Sequence, residues 1–149
     1  MQSMLTSMLT LAALATLAVA SARAETAAGA AADWGLIGAW QSDCAAAPSV
    51  AEPRSTFEIR GGALVYERFN GQQADTNAIP GAVIRPDGTI ALTIDFARLG
   101  GVREWVLAKS DRSRFHTISN RSLATNVYTV RGGVLLSTRQ PAPWNVRCR

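Results

Sequence analysis

Residues 89–96 read "TIALTIDF", with Ile90, Leu92, Ile94 and Phe96 on one parity and Thr89, Ala91, Thr93 and Asp95 on the other. Successive side chains of a strand point to opposite faces, so this alternation predicts a sheet packed on one face and wet on the other. Residues 56–60, "TFEIR", repeat the pattern with Phe57 and Ile59. Further runs of strand length lie at 35–42, 54–60, 63–69, 78–85, 102–109, 114–119, 123–130 and 133–139. No segment keeps a helical period for three turns.

Turn signals punctuate these runs. Arg60-Gly61-Gly62, Asn70-Gly71, Pro86-Asp87-Gly88, Gly100-Gly101 and Gly132-Gly133 supply residues that tolerate the positive φ of tight hairpins. "DRS" at 111–113 and "SNRS" at 119–122 are weaker signals of the same kind. Strands joined by tight turns are antiparallel neighbours in a meander. Eight or nine of them in this length close on themselves, because closure removes exposed edges. The fold expected is all-β, a small antiparallel up-and-down barrel over 35–149, with a β-sandwich as the alternative.

The first 24 residues are expected to be a secretory signal, not part of the fold. "MLTLAALATLAVASARA" holds an apolar run of signal length, then Ala22-Arg23-Ala24 as a cleavage site, with Ala18-Val19-Ala20 a second option. The run is shorter than the ~20 apolar residues that span a bilayer, so no membrane span is expected after cleavage. Residues 25–34 then form a flexible Ala-rich lead-in, mobile or a brief helical turn, that buries little. The chain carries a net charge of +4, and losing Arg23 makes it +3. Its charges are spread singly, so nucleic acid is not expected as a partner. An exported chain meets an oxidising compartment, periplasmic or extracellular, and Cys44 and Cys148 are expected to pair there.

The two ends echo each other: Trp40-x-x-x-Cys44 near the start and Trp144-x-x-x-Cys148 at the finish. If the first and last segments are neighbours, the disulfide staples the seam of the barrel and the tryptophans cover it. Alternatively both are ordinary core residues. Asp43 and Arg147 each precede a cysteine and offer a charge pair on the opposite face.

Gly38-x-Trp40 ahead of hairpin-linked strands resembles the lipocalin and calycin superfamily. That resemblance implies a barrel whose Trp closes one end, often under an Arg from a late strand, for which Arg139 in "STRQ" is the candidate. The barrel-closing set is then Gly38, Trp40, Arg139 and Trp144. The chain also resembles small exported bacterial barrel proteins that open with GxWxxDC and close with PWxxxC. It departs from lipocalins in having no helix before its last strand.

His116 is the one histidine, and alternation sets it opposite Phe115, so it reads as a surface or rim residue and not as a catalytic base. No spacing supplies a metal-ligand cluster, and no cofactor is expected. The acids are scattered, so no paired carboxylates suggest acid–base work. Phe57, Tyr66, Trp105 and Tyr128 are the candidate ligand-binding residues: aromatic rings, two of them with polar tips, suit a barrel mouth, or they fill the interior as core. The expected function is non-enzymatic carriage of a small apolar or amphipathic molecule by a monomer. The alternative is a protein-interaction module, an inhibitor or envelope assembly factor, with a solid core.

Overall fold

The structure, a computed structural model, describes residues 26–96, 98 and 100–149. The expected signal, residues 1–24, lies outside them.

The alternating runs become strands: β1 (Gly38–Gln41), β2 (Arg54–Arg60), β3 (Ala63–Phe69), β4 (Ala74–Ile84), β5 (Ile90–Phe96), β6 (Gly101–Asp111), β7 (Arg114–Ser122), β8 (Tyr128–Arg131), β9 (Val134–Leu135) and β10 (Trp144–Cys148). Each strand from β1 to β7 pairs antiparallel with the next. β10 then pairs with β1 on one side and β7 on the other, which closes an eight-stranded barrel. The all-β barrel is therefore the fold, and the sandwich is not.

β7 is the strand on which closure turns. Its first half, at Arg114, Phe115 and His116, receives β10, while Asn120 and Arg121 receive β8. The β8–β9 hairpin thus leaves the barrel wall as a flap, and residues 136–143 lead from it back to the seam. Two strand expectations fail here. Residues 123–127 form the turn after β7, with Asn126 at φ 57°, and 133–139 shrinks to Val134–Leu135. "SNRS" is not a turn but the end of β7, continued past a bulge that leaves Ile118 without a partner in β6, its carbonyl accepting instead from the Gly133 N–H at 2.8 Å. β4 also starts earlier than expected, at Ala74. It absorbs Pro80 at a bulge between Ala78 and Gly81, where the missing N–H costs no ladder bond.

Residues 25–34 were expected to form a loose lead-in. Most of them instead form helix α1 (Ala27–Trp34), with Ala30, Ala31 and Trp34 buried. The Thr26 hydroxyl accepts from the Gly29 N–H at its start, and Gly35 closes it in the left-handed region. A helix this short is not stable alone. Alanine side chains let it lie close against β3 and β4, and its end is clamped twice. The Trp34 indole donates to Gly88 O at 2.8 Å, and Lys109 Nζ donates to Trp34 O at 2.8 Å. A period-3.6 pattern written in alanine is too weak a signal to announce such a helix.

The core runs down the barrel axis through Trp40, Phe57, Ile90, Leu92, Ile94, Leu107 and Phe115, each at most 2 % exposed. Trp40 meets Phe115 edge-on, with ring centroids 4.8 Å apart. Phe57 touches Tyr66 and Trp105 at 5.1 and 6.2 Å. This part of the interior is filled.

Cys44 and Cys148 form the disulfide, 104 residues apart in sequence. Cys148 lies opposite Ala39 on the seam, and Cys44 reaches it from the loop after β1. The seam is stapled as expected, but the tryptophans do not share the task. Trp40 faces inward. Trp144, on the parity of Cys148, stands outside at 38 % exposure and stacks on His116 at 4.1 Å.

Candidate functional site

The two barrel ends are built differently. At the end holding the β2–β3, β4–β5 and β6–β7 turns, α1 lies across the opening and Arg147 sits over the Trp40 ring, 4.4 Å from its centroid. The Arg147 guanidinium donates to the carbonyls of Ile37 and Gly35. Trp40 itself donates to Leu36 O at 2.8 Å. Gly38 holds φ 139°, and a Cβ there would lie 2.6 Å from Arg147 Nη1. The glycine of Gly38-x-Trp40 is therefore favoured by its backbone conformation, and it lies directly against the arginine that covers the tryptophan.

That arginine is Arg147 and not Arg139. Arg139 lies in the turn after β9 with φ 58°, and its N–H bonds to Leu135 O. The assignment to Arg139 followed from taking 133–139 for a late wall strand, which it is not. Arg147 also makes no pair with Asp43; it lies opposite Trp40 in register, on the inner face. The Asp43 carboxylate instead accepts from the Ala45 N–H at 2.9 Å.

The other end is the mouth. The loop between β1 and β2 folds over part of it, held by Gln41, whose amide donates to Ala46 O and Glu52 O at 3.2 and 3.4 Å. This loop presses so closely on the β3–β4 turn that a Cβ on Gly71 would lie 2.3 Å from Pro48 O. What remains open is two adjoining cavities. One, of about 390 Å³, has an aromatic floor of Tyr66, Phe96 and Trp105 and a polar wall of Arg68, Arg103, Asn120 and Thr129. The other, of about 250 Å³, opens toward the flap, between Pro53 of the loop, Val130 of β8 and Ala142. Tyr66, Trp105 and Asn120 line both.

These lining groups are fixed by their neighbours. Trp105 Nε1 donates to Thr117 Oγ1 at 2.8 Å, and its ring meets Tyr66 edge-on at 5.4 Å. The Tyr66 hydroxyl shares a 3.2 Å hydrogen bond with Ser55. Burial pushes the Tyr66 phenol above its ordinary pKa of 10.0, more than Ser55 and the nearby Arg68 charge lower it, so it stays neutral at physiological pH.

Of the aromatics proposed from sequence, the fold brings Tyr66 and Trp105 together at the mouth. Phe57 lies beneath them, fully buried, as core. Tyr128 lines neither cavity; Arg131 covers its ring at 5.2 Å. His116 stands on the outer face of the seam against Trp144, where Arg114 lies over the same indole at 5.2 Å. Among the described residues, no group of three His, Cys, Asp or Glu side chains is placed to hold a metal ion.

Sequence reasoning missed Arg68, Phe96, Arg103 and Asn120. A signal existed for two of them: Arg68 shares the inward parity of Leu64 and Tyr66, and Arg103 that of Trp105. A charge written on the inward face of a strand marks an end of the barrel, a lid at Arg147 and an open cavity at Arg68 and Arg103. Comparison of the chain with protein-family models, with curated proteins and with solved structures finds no match, so the site is read from its own geometry.

Proposed function

We propose that the protein is an exported, non-enzymatic barrel that binds a small amphipathic molecule at its mouth. The observation that carries this reading is the pair of adjoining cavities sharing Tyr66 and Trp105 above a filled core. Their floor offers aromatic faces to an apolar body, at roughly 25 cal/mol per Å² removed from water. Asn120 and Thr129 offer polar groups to orient it. Periplasmic or extracellular residence is supported by the disulfide. Among the described residues, no helix is long and apolar enough to cross a membrane.

Native mass spectrometry of the protein, purified gently from its own envelope, tests the reading. A bound mass of a few hundred daltons, lost in Trp105→Ala, is the expected result. A bare protein whose Trp105 indole is unmoved by any added amphiphile overturns it. A second reading, an interaction module, is favoured by Leu123 and Val127, 45 % and 59 % exposed on the turn after β7 beside the mouth. A protein adduct lost on changing Val127 to Ser would select that one.

A further inference from the structure

Resting on the binding reading above, we infer that the mouth selects an anion: a carboxylate on a small apolar body, with Arg68 and Arg103 as its counter-charges. Both arginines lie on the inward face and line the larger cavity beside the aromatic floor. Each is half-buried, in surroundings where a charge interacts more strongly than in bulk water. Neither has a carboxylate of its own. Among the described residues, the Arg68 side chain makes no hydrogen bond and no ion pair. Asp75 lies opposite Arg68 in register, but its Oδ1 is 2.9 Å from Arg98 Nη1, on the rim.

Arg103 is positioned without being neutralised. Its Nε donates to Asn120 Oδ1, and its Nη2 makes only long contacts, 3.4–3.5 Å, to Asn120 O, Thr129 Oγ1 and Val127 O. All of these are uncharged acceptors, and among the described residues Nη1 makes no hydrogen bond or ion pair. Three arginines of the outer face do have carboxylates, although Arg114 and Arg131 lie on aromatic rings instead. There Arg85 and Arg121 both sit on Glu104, and Arg60 sits on Glu58 and Glu67. Carboxylates satisfy these outward arginines, whereas the two that face the cavity are left for something else. The mouth sums to three arginines (Arg68, Arg98, Arg103) against two carboxylates, Asp75 and the Glu52 of the adjoining cavity, which leaves it net positive over aromatic rings.

Such an arrangement recognises a planar anion with an apolar tail. A guanidinium presents paired N–H donors that match a carboxylate, while the tail lies on Tyr66, Phe96 and Trp105. A cation of the same shape meets repulsion, and a neutral alcohol gains only the apolar contact.

The test is calorimetric titration of the intact protein with three bodies (octyl, phenylpropyl, naphthylmethyl), each as carboxylate, alcohol and primary ammonium. The carboxylate of at least one body is expected to bind about tenfold or more tighter than its alcohol, and the ammonium weakest. The body that binds best tells an aliphatic ligand from an aromatic one. Arg68→Gln should remove most of the preference while leaving the alcohol's affinity within about twofold, and Arg68→Glu should turn it toward the ammonium. Arg103→Lys, which keeps the charge and loses the fork, guards against loss of fold in a harsher change and should weaken the carboxylate alone. Equal affinity for the three charges overturns anion selection and leaves the binding reading standing. Absence of binding by every probe overturns both.

Discussion

The two ends of the barrel use the same pair of residue types, arginine beside an aromatic ring, to opposite effect. At the closed end Arg147 lies on Trp40 and spends its donors on the carbonyls of Ile37 and Gly35. At the mouth Arg68 lies beside Tyr66 and Phe96 with its donors uncommitted. What differs is the chain around them. α1 and the segment leading into β1 bring backbone acceptors over the closed end, whereas the hairpin turns at the mouth bring few. At the closed end backbone meets the arginine's donors and makes it a lid; at the mouth the open donors of Arg68 are what the proposed anion would meet. The disulfide belongs to the wall between them, since it fixes β10 against β1 and so holds both ends in register.

Breaking the closed end should have the largest consequence. Trp40→Ala removes a fully buried indole and its contact with Phe115, and should cost about 3–5 kcal/mol in urea unfolding. A loss under about 1 kcal/mol, the scale of an ordinary surface change, would show that α1 carries the closure without it. Next, Cys148→Ser releases the seam and should cost roughly 2–4 kcal/mol, seen as a lower melting temperature that reduction of the parent protein reproduces. An unchanged melting temperature would mean that strand pairing alone closes the barrel.

The sharper contrast comes from making one substitution at both ends. Arg147→Gln should destabilise by about 1 kcal/mol, because it loses the stacking on Trp40 and the charged hydrogen bonds. Arg68→Gln should leave stability within about 0.5 kcal/mol or raise it, because it removes a charge that nothing in the described structure satisfies. Equal losses at the two sites would erase the distinction between lid and receptor.

The smallest effect concerns Tyr66. Its folded pKa lies above the ordinary 10.0 because of burial. Stability should therefore hold below that value and fall as pH rises from the unfolded pKa through the higher folded one. Tyr66→Phe should remove that alkaline slope, and ultraviolet titration should place one tyrosine above 10. A Tyr66 that titrates at its ordinary value would mean that the mouth is wetter than its lining implies.

Several features were legible along the chain because their causes are local. The alternation in "TIALTIDF" requires one packed face whatever lies beneath it, and Gly61-Gly62 or Asn70-Gly71 turn the chain wherever they occur. The pairing of Cys44 with Cys148 followed from there being two cysteines, and the barrel from hairpins repeated until they met. The candidate site was half legible. Tyr66 and Trp105 stood out as aromatic, while Arg68 and Arg103 drew no reading: their parity put them on the inward face, but only the closed barrel shows that the interior there is an open cavity.

Other features belong to the tertiary structure alone. That Arg147 and not Arg139 caps Trp40 depends on β10 displacing β8 and β9 from the first half of β7, a choice between pairings far apart in sequence. Trp144 lies outside and Trp40 inside, although each stands four residues before its cysteine, because β1 ends at Gln41 and Cys44 is already in the loop. Alternation and turn chemistry act over a few residues, so the sequence alone determines strands, hairpins and the inward parity of each strand. Closure acts over the whole chain, and only the register it imposes decides which inward residues meet backbone and which meet an open cavity.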